Sequence, residues 1–254
     1  MRDPYIFSQM HRIPGYLDPG DALILRAVLT HQNASGYAGG AAEIGIYYGR
    51  SWFLIRQMLR DGEKALAMDL FDMDAAGQSQ MGAFLDHGQT LGIPVLPEQV
   101  LQADSATLSA GDILARTGPV RLFSVDGGHR LAHVKNDADL AHDCLSGEGV
   151  IVFDDFFNPE WPEVSAAVID FLRSSRGALR PFAVSQKKLY VARARHCAEY
   201  SAAMDRAPGL RRMGRVPVSF FGHDALRIRH PLWRRAAYEG LSRLGLGRVS
   251  ALLY

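Results

Sequence analysis

The sequence predicts a doubly wound α/β sheet of Rossmann-like type, with helices on both faces. Three observations carry that expectation. Five β-like runs are predominantly apolar, the segments between them carry apolar residues at helical spacing, and a late pair of runs lies too close together for anything but an antiparallel hairpin.

The elements follow in order. Pro4, Pro14, Gly15, Pro19 and Gly20 mark an irregular lead-in. Leu23, Ile24, Ala27 and Val28 recur at helical spacing, so Asp18 to Thr30 reads as a helix with an acidic residue at its start. The strands are Ala42 to Ile46, Ala65 to Leu70, Val100 to Ala103, Leu122 to Val125 and Val150 to Phe153; Ser51 to Arg60 and Val134 to Cys144 read as helices among them. Pro181 to Ser185 and Lys188 to Ala192 form the hairpin at the sheet edge. Beyond His196, "RVPVSFFGHDALRIRHP" reads as a further hairpin turning at Gly222-His223-Asp224, and Leu232 to Tyr254 as a basic amphipathic helical stretch broken by glycines. Residues 1–195 are taken as one domain that includes the lead-in. Residues 196–254 are taken as a basic C-terminal appendage, not an independent domain.

A chain of 254 residues suits one large α/β domain, and 48% apolar with 22% charged residues excludes disorder as the default state. Cys144 and Cys197 are too few for a disulfide framework or a cysteine-rich zinc site. With no apolar run of membrane-spanning length and no leader pattern, the expectation is a soluble cytoplasmic protein. The net charge of +1 conceals an asymmetry. Residues 173–254 hold 17 Lys+Arg against 4 Asp+Glu, whereas residues 1–172 hold 11 against 23. The favoured reading is that the basic arm covers the acidic part or a second subunit of a homo-oligomer. Contact with a membrane surface is the less favoured reading, and nucleic acid is not expected because no binding motif interleaves the basic residues.

Two constellations carry chemistry. In "AEIGIYYGRS" an apolar strand runs into Gly45, and Gly49 precedes a helix beginning near Ser51, a turn that lets backbone approach a ligand and offers helix N–H groups to an anion. Purely steric use of the glycines is the alternative. In "ALAMDLFD" a strand ends in Asp69, placed to accept ribose hydroxyls of a nucleoside, unless it caps the next helix. Together they favour a nucleoside cofactor.

In "RLFSVDGGH" and "GVIVFDDFF", Asp126, Asp154 and Asp155 stand at the ends of two buried strands, where open α/β sheets bind ligands. Three carboxylates this close call for a cation, and an all-oxygen set suits Mg²⁺, with Ca²⁺ or Mn²⁺ as alternatives. Helix capping or turn formation is the bland reading of the same aspartates. His129 leans over the same cleft as a general base or as a turn residue, and His133 reads as helix surface. Phe156, Phe157 and Trp161 read either as walls of an acceptor pocket or as core.

In this order and spacing, "EIGIYYGRS", "MDLFD", "QADS", "VDGGH" and "GVIVFDDFF" resemble class I S-adenosylmethionine-dependent methyltransferases, and more closely the metal-dependent, macrocin-type sugar O-methyltransferases with their cephalosporin hydroxylase-like relatives. The likeness covers roughly Gly15 to Ala194; the basic arm is only loosely matched. It implies a seven-stranded sheet with an antiparallel last strand. It also implies that Glu43, Gly45, Gly49 and Ser51 hold the methionine moiety, that Asp69 binds ribose, and that Asp104 and Ser105 lie near adenine. Asp126, Asp154 and Asp155 match the metal ligands, with Asp126 and His129 as the catalytic pair and His129 at the position of the base. Tyr47, Tyr48 and Trp52 are bulkier than is usual around the first motif. The function expected is divalent-metal-dependent O-methylation of a hydroxyl on a small molecule or sugar moiety. The alternatives are a nucleoside-cofactor oxidoreductase or hydroxylase-like enzyme, and a non-catalytic S-adenosylmethionine-binding protein.

Overall fold

Asp18 starts the first long helix: its Oδ1 accepts from the backbone N–H groups of Gly20 and Asp21, while Pro19 fills the first turn, where no donor is needed. The computed structural model describes residues 3–74, 79–174 and 178–246. Its helices are α1 (Pro4–Phe7), α2 (Pro19–Ala34), α3 (Arg50–Met58), α4 (Gln80–Thr90), α5 (Ala110–Thr117), α6 (Leu131–Cys144), α7 (Pro162–Arg173), α8 (Ala194–Arg206) and α9 (Leu232–Arg243). Its strands are β1 (Gly40–Ile44), β2 (Ala65–Asp69), β3 (Val100–Gln102), β4 (Val120–Val125), β5 (Leu145–Phe153), β6 (Leu179–Val184), β7 (Leu189–Arg193), β8 (Met213–Phe220) and β9 (His223–Pro231). The expected arm from Leu232 to Tyr254 begins as α9, and residues 247–254 lie outside the described part.

All nine strands join one sheet in the order β3-β2-β1-β4-β5-β7-β6-β9-β8. Strands β1 to β5 are mutually parallel, and β7 runs antiparallel to both β5 and β6. The expected count of seven is therefore corrected to nine. The second hairpin does not stand apart: β9 lies parallel to β6, with Ala183 opposite Leu226 and Val184 opposite Arg227, and carries β8 on its outer side.

Side chains of β4 alternate between two apolar layers, as the period of two requires. Leu122 joins Ile24, Val28, Trp52, Phe53 and Tyr200 on one face. Phe123 joins Val134, Ala138, Ile151, Val168 and Phe171 on the other. At the strands' amino edge Arg121 is fully buried, and its guanidinium donates to Glu63 Oε2 at 2.7 Å and Gln32 Oε1 at 2.9 Å. Among the described residues no helix is long and apolar enough to cross a membrane.

Candidate active site

The carboxyl ends of β1, β2, β4 and β5 gather the predicted residues at one edge of the sheet. Past β1 the chain turns at Gly45 (φ 83°), and a Cβ there would lie 1.8 Å from the carbonyl oxygen of Asp126. At Gly49 (φ 90°) it would meet the Phe84 ring at 2.6 Å. Both glycines are thus required by the protein's own packing. The carboxylate of Asp69 holds the loop between them: Oδ2 accepts from the backbone N–H groups of Ile46 (2.7 Å) and Tyr47 (2.9 Å), and Oδ1 from that of Phe71 (2.8 Å). Asp69 caps no helix, since Ser79 caps α4.

Glu43 is buried in β1, and the Ser124 hydroxyl donates to its Oε1 at 3.1 Å. Its Oε2 is also buried and has no hydrogen-bond partner among the described residues. Burial pushes its carboxyl up to about 7, against the Ser51 and Ser124 hydroxyls and the charge of Lys188. Ser51 lies half-buried in the first turn of α3. Asp104 and Ser105 follow β3; Asp104 Oδ1 accepts from the Ala106 N–H at 2.9 Å, and the Ser105 carbonyl from Asn136 Nδ2 at 3.1 Å.

A cleft bordered by Asp126, Gly127, His129, Phe153 and Asp154 opens past β4 and β5. Asp126, His129 and Asp155 can each bring one ligand atom within 4.8 Å of the others, a spacing that one metal ion would span. Asp154 is not in that group. Its Oδ2 accepts from Lys188 Nζ and its Oδ1 from the Asp155 N–H at 2.8 Å. His129 Nε2 lies 3.0 Å from Asp155 Oδ2, and its ring stacks on Trp161 at 4.4 Å between centroids. Asn158 Nδ2 donates to Asp155 Oδ1 at 2.6 Å.

The two carboxyls beside His129 differ. Loss of water contact and then the Asp154 charge raise Asp126 well above the usual carboxylate range, against the pull of Lys188. For Asp155 partial burial is outweighed by hydrogen bonds from His129 and Asn158, so it is held below that range.

Sequence reasoning missed Lys188 and Asp21. Lys188 is buried in the turn between β6 and β7, where its backbone N–H donates to Ser185 Oγ at 3.1 Å. Asp21 is buried in α2, and burial raises it to about 6, opposed first by Lys188. In "SQKKLY" nothing marks which lysine turns inward. Backbone conformation was equally silent. Tyr47, Phe71, Asp155 and Phe157, all just past β1, β2 or β5, adopt positive φ of 52° to 66°. Phe221, in the turn between β8 and β9, does so as well (φ 54°), so the conformation marks tight turns and the strand-end loops of the site alike.

The strand order with β7 antiparallel, and an edge gathered from the β1, β2, β4 and β5 ends, are those of a Rossmann-like methyltransferase fold. Residues 42–156 match the family model described as "Methyltransferase domain". No curated protein sequence matches the chain. Among solved structures, the O-methyltransferase NovP is similar at 16% identity and a TM-score of 0.56, over 69% of this chain and 80% of that one. CalS11, a TDP-rhamnose 3'-O-methyltransferase of calicheamicin biosynthesis, is similar at 16% identity and a TM-score of 0.52, over 68% and 79%. MycE, a methyltransferase solved with Mg, SAH and mycinamycin VI, is similar at 16% identity and a TM-score of 0.52, over 76% of this chain and 54% of that one.

Proposed function

We propose that the protein transfers a methyl group from S-adenosylmethionine to a hydroxyl of a small molecule or sugar moiety, assisted by a divalent cation such as Mg²⁺. The observation that carries this reading is the cluster of Asp126, His129 and Asp155 beside the β1 loop. Its donors are mainly carboxylate oxygens, which suit a hard cation. Asp126 and Asp155 would hold it; Asp154, already accepting from Lys188 and the Asp155 amide, would join through a remaining lone pair. When bound, the cation lowers the pKa of a coordinated hydroxyl and fixes its position.

His129 is the residue that takes the proton. With Nε2 donating to Asp155, Nδ1 is left as the basic nitrogen, and the Trp161 stack restrains the ring. The cofactor, when bound, supplies an electrophilic methyl on a sulfonium. The unpartnered Glu43 Oε2 fits the ammonium of its methionine moiety, with Gly45, Gly49 and Ser51 around it. Asp69 would accept from ribose, and Asp104 and Ser105 would flank adenine. Calorimetry with S-adenosylmethionine, with and without Mg²⁺, followed by transfer of labelled methyl to a panel of hydroxylated acceptors, tests the reading. Failure to bind the cofactor would overturn it.

A further inference from the structure

Helix α9 leaves the sheet at the edge that holds the candidate active site. Strands β5 and β6 both run antiparallel to β7, and β9 runs parallel to β6, so Pro231 ends on the same side as Asp154. Three strand spacings separate β5 from β9, about 14 Å along the sheet.

In and just beyond α9, Trp233, Ala236, Gly240 and Leu244 recur at helical spacing, and all four are exposed. Trp233 is 59% exposed and Leu244 75%; Leu246 follows at 46%. An amphipathic helix normally turns its apolar stripe to the core. Here the stripe faces outward, while Arg234 on another side meets His230 of β9 at 3.1 Å.

The sequence around the stripe is rich in arginine. Residues 211–246 hold eight arginines against Asp224 and Glu239, with Arg215 pairing with Asp205 at 3.6 Å. A second copy docking α9 against α9 would bring the same arginine surplus against itself in a two-fold contact. Nucleic acid could stack on Trp233 but would leave Leu244 and Leu246 without apolar cover. A surface that is both apolar and anionic meets both features.

We propose that α9 docks on an anionic lipid bilayer, its apolar stripe at the headgroup–acyl boundary and the exposed Arg243 among the headgroups. Docking in this way sets the carboxyl edge of the sheet beside the membrane. The inference is independent of the methylation reading, since it needs only α9 and the arginines near it.

The test is flotation of the full chain with vesicles of phosphatidylcholine alone and with about 30% phosphatidylglycerol added. The expected result is co-flotation with the anionic vesicles only, weakened by salt, and a blue shift of tryptophan emission on binding. Trp233→Glu with Leu244→Glu should lower partitioning about tenfold or more, with S-adenosylmethionine affinity and oligomeric state unchanged. Absence of flotation, equal binding to neutral vesicles, or a change of oligomeric state in the double variant would each overturn the proposal, the last in favour of a second copy.

Discussion

The buried Lys188 and the part-buried Asp154 form an ion pair whose charges both act on Asp126 of the candidate metal cluster. Burial works against the ammonium, but the charges of Asp154, Asp126 and Asp21 outweigh it and hold Lys188 above the ordinary lysine range. The chain thus supplies one of the positive charges that three converging carboxylates require, and it supplies it to Asp154.

Removing that charge should be costly. Lys188→Met leaves Asp154 beside Asp126 without its cationic partner, and stability should fall by about 3–5 kcal/mol, the range for breaking a buried pair. Urea unfolding measures it; a loss under about 1 kcal/mol, as for an exposed pair, would mean that Asp154 relaxes into water.

The catalytic assignment makes a separable prediction. His129→Ala should lower turnover by roughly 10²–10⁴-fold with cofactor affinity retained. Asp155→Asn should abolish the response to Mg²⁺ add-back after chelation, because Asp155 both belongs to the cluster and orients His129. Full activity in the chelated wild-type enzyme would remove the cation from the reaction.

Asp69→Ala should act twice. Loss of a charged acceptor should weaken S-adenosylmethionine binding by about 1.5–3 kcal/mol. Loss of its bonds to Ile46 and Tyr47 should also speed hydrogen exchange at those two amides. Faster exchange with unchanged affinity would leave Asp69 a loop-holding residue only.

Glu43 predicts a pH effect. Its carboxyl rises from an ordinary 4.5 to about 7 in the fold, so the folded state prefers the protonated form. Its contribution is therefore most favourable below about pH 4.5 and declines as pH rises to about 7, by about 3 kcal/mol in all. Glu43→Gln should raise the melting temperature at about pH 8 and change it little at about pH 4.5. The same shift at both pH values would contradict a buried, proton-bearing Glu43.

Much of the framework was legible because burial on both faces writes itself as apolar runs. Each predicted parallel strand overlaps an observed one, and Pro181 to Ala192 does form the antiparallel pair. Strand β5 starts at Leu145 rather than Val150, since Gly147, Glu148 and Gly149 have the composition of a loop. The attachment of β9 was hidden because two register positions on β6 carry it. Asp126, Asp154 and Asp155 were legible as strand-end carboxylates. The partner of Asp154 was not, because Lys188 comes from a hairpin turn 34 residues away and looks in sequence like any surface lysine.

Gly45 and Asp126 touch backbone to backbone, at a spacing that no side chain at position 45 would permit. The distance between the β1 loop and the carboxylate cluster is therefore set by main chain, while Phe157 and Trp161, exposed on the loop past β5, sit outside that contact. Descendants of this sequence can exchange those two aromatic residues without disturbing that spacing. Selection for a new acceptor should accordingly accumulate changes at 157 and 161 and leave positions 45 and 158 untouched.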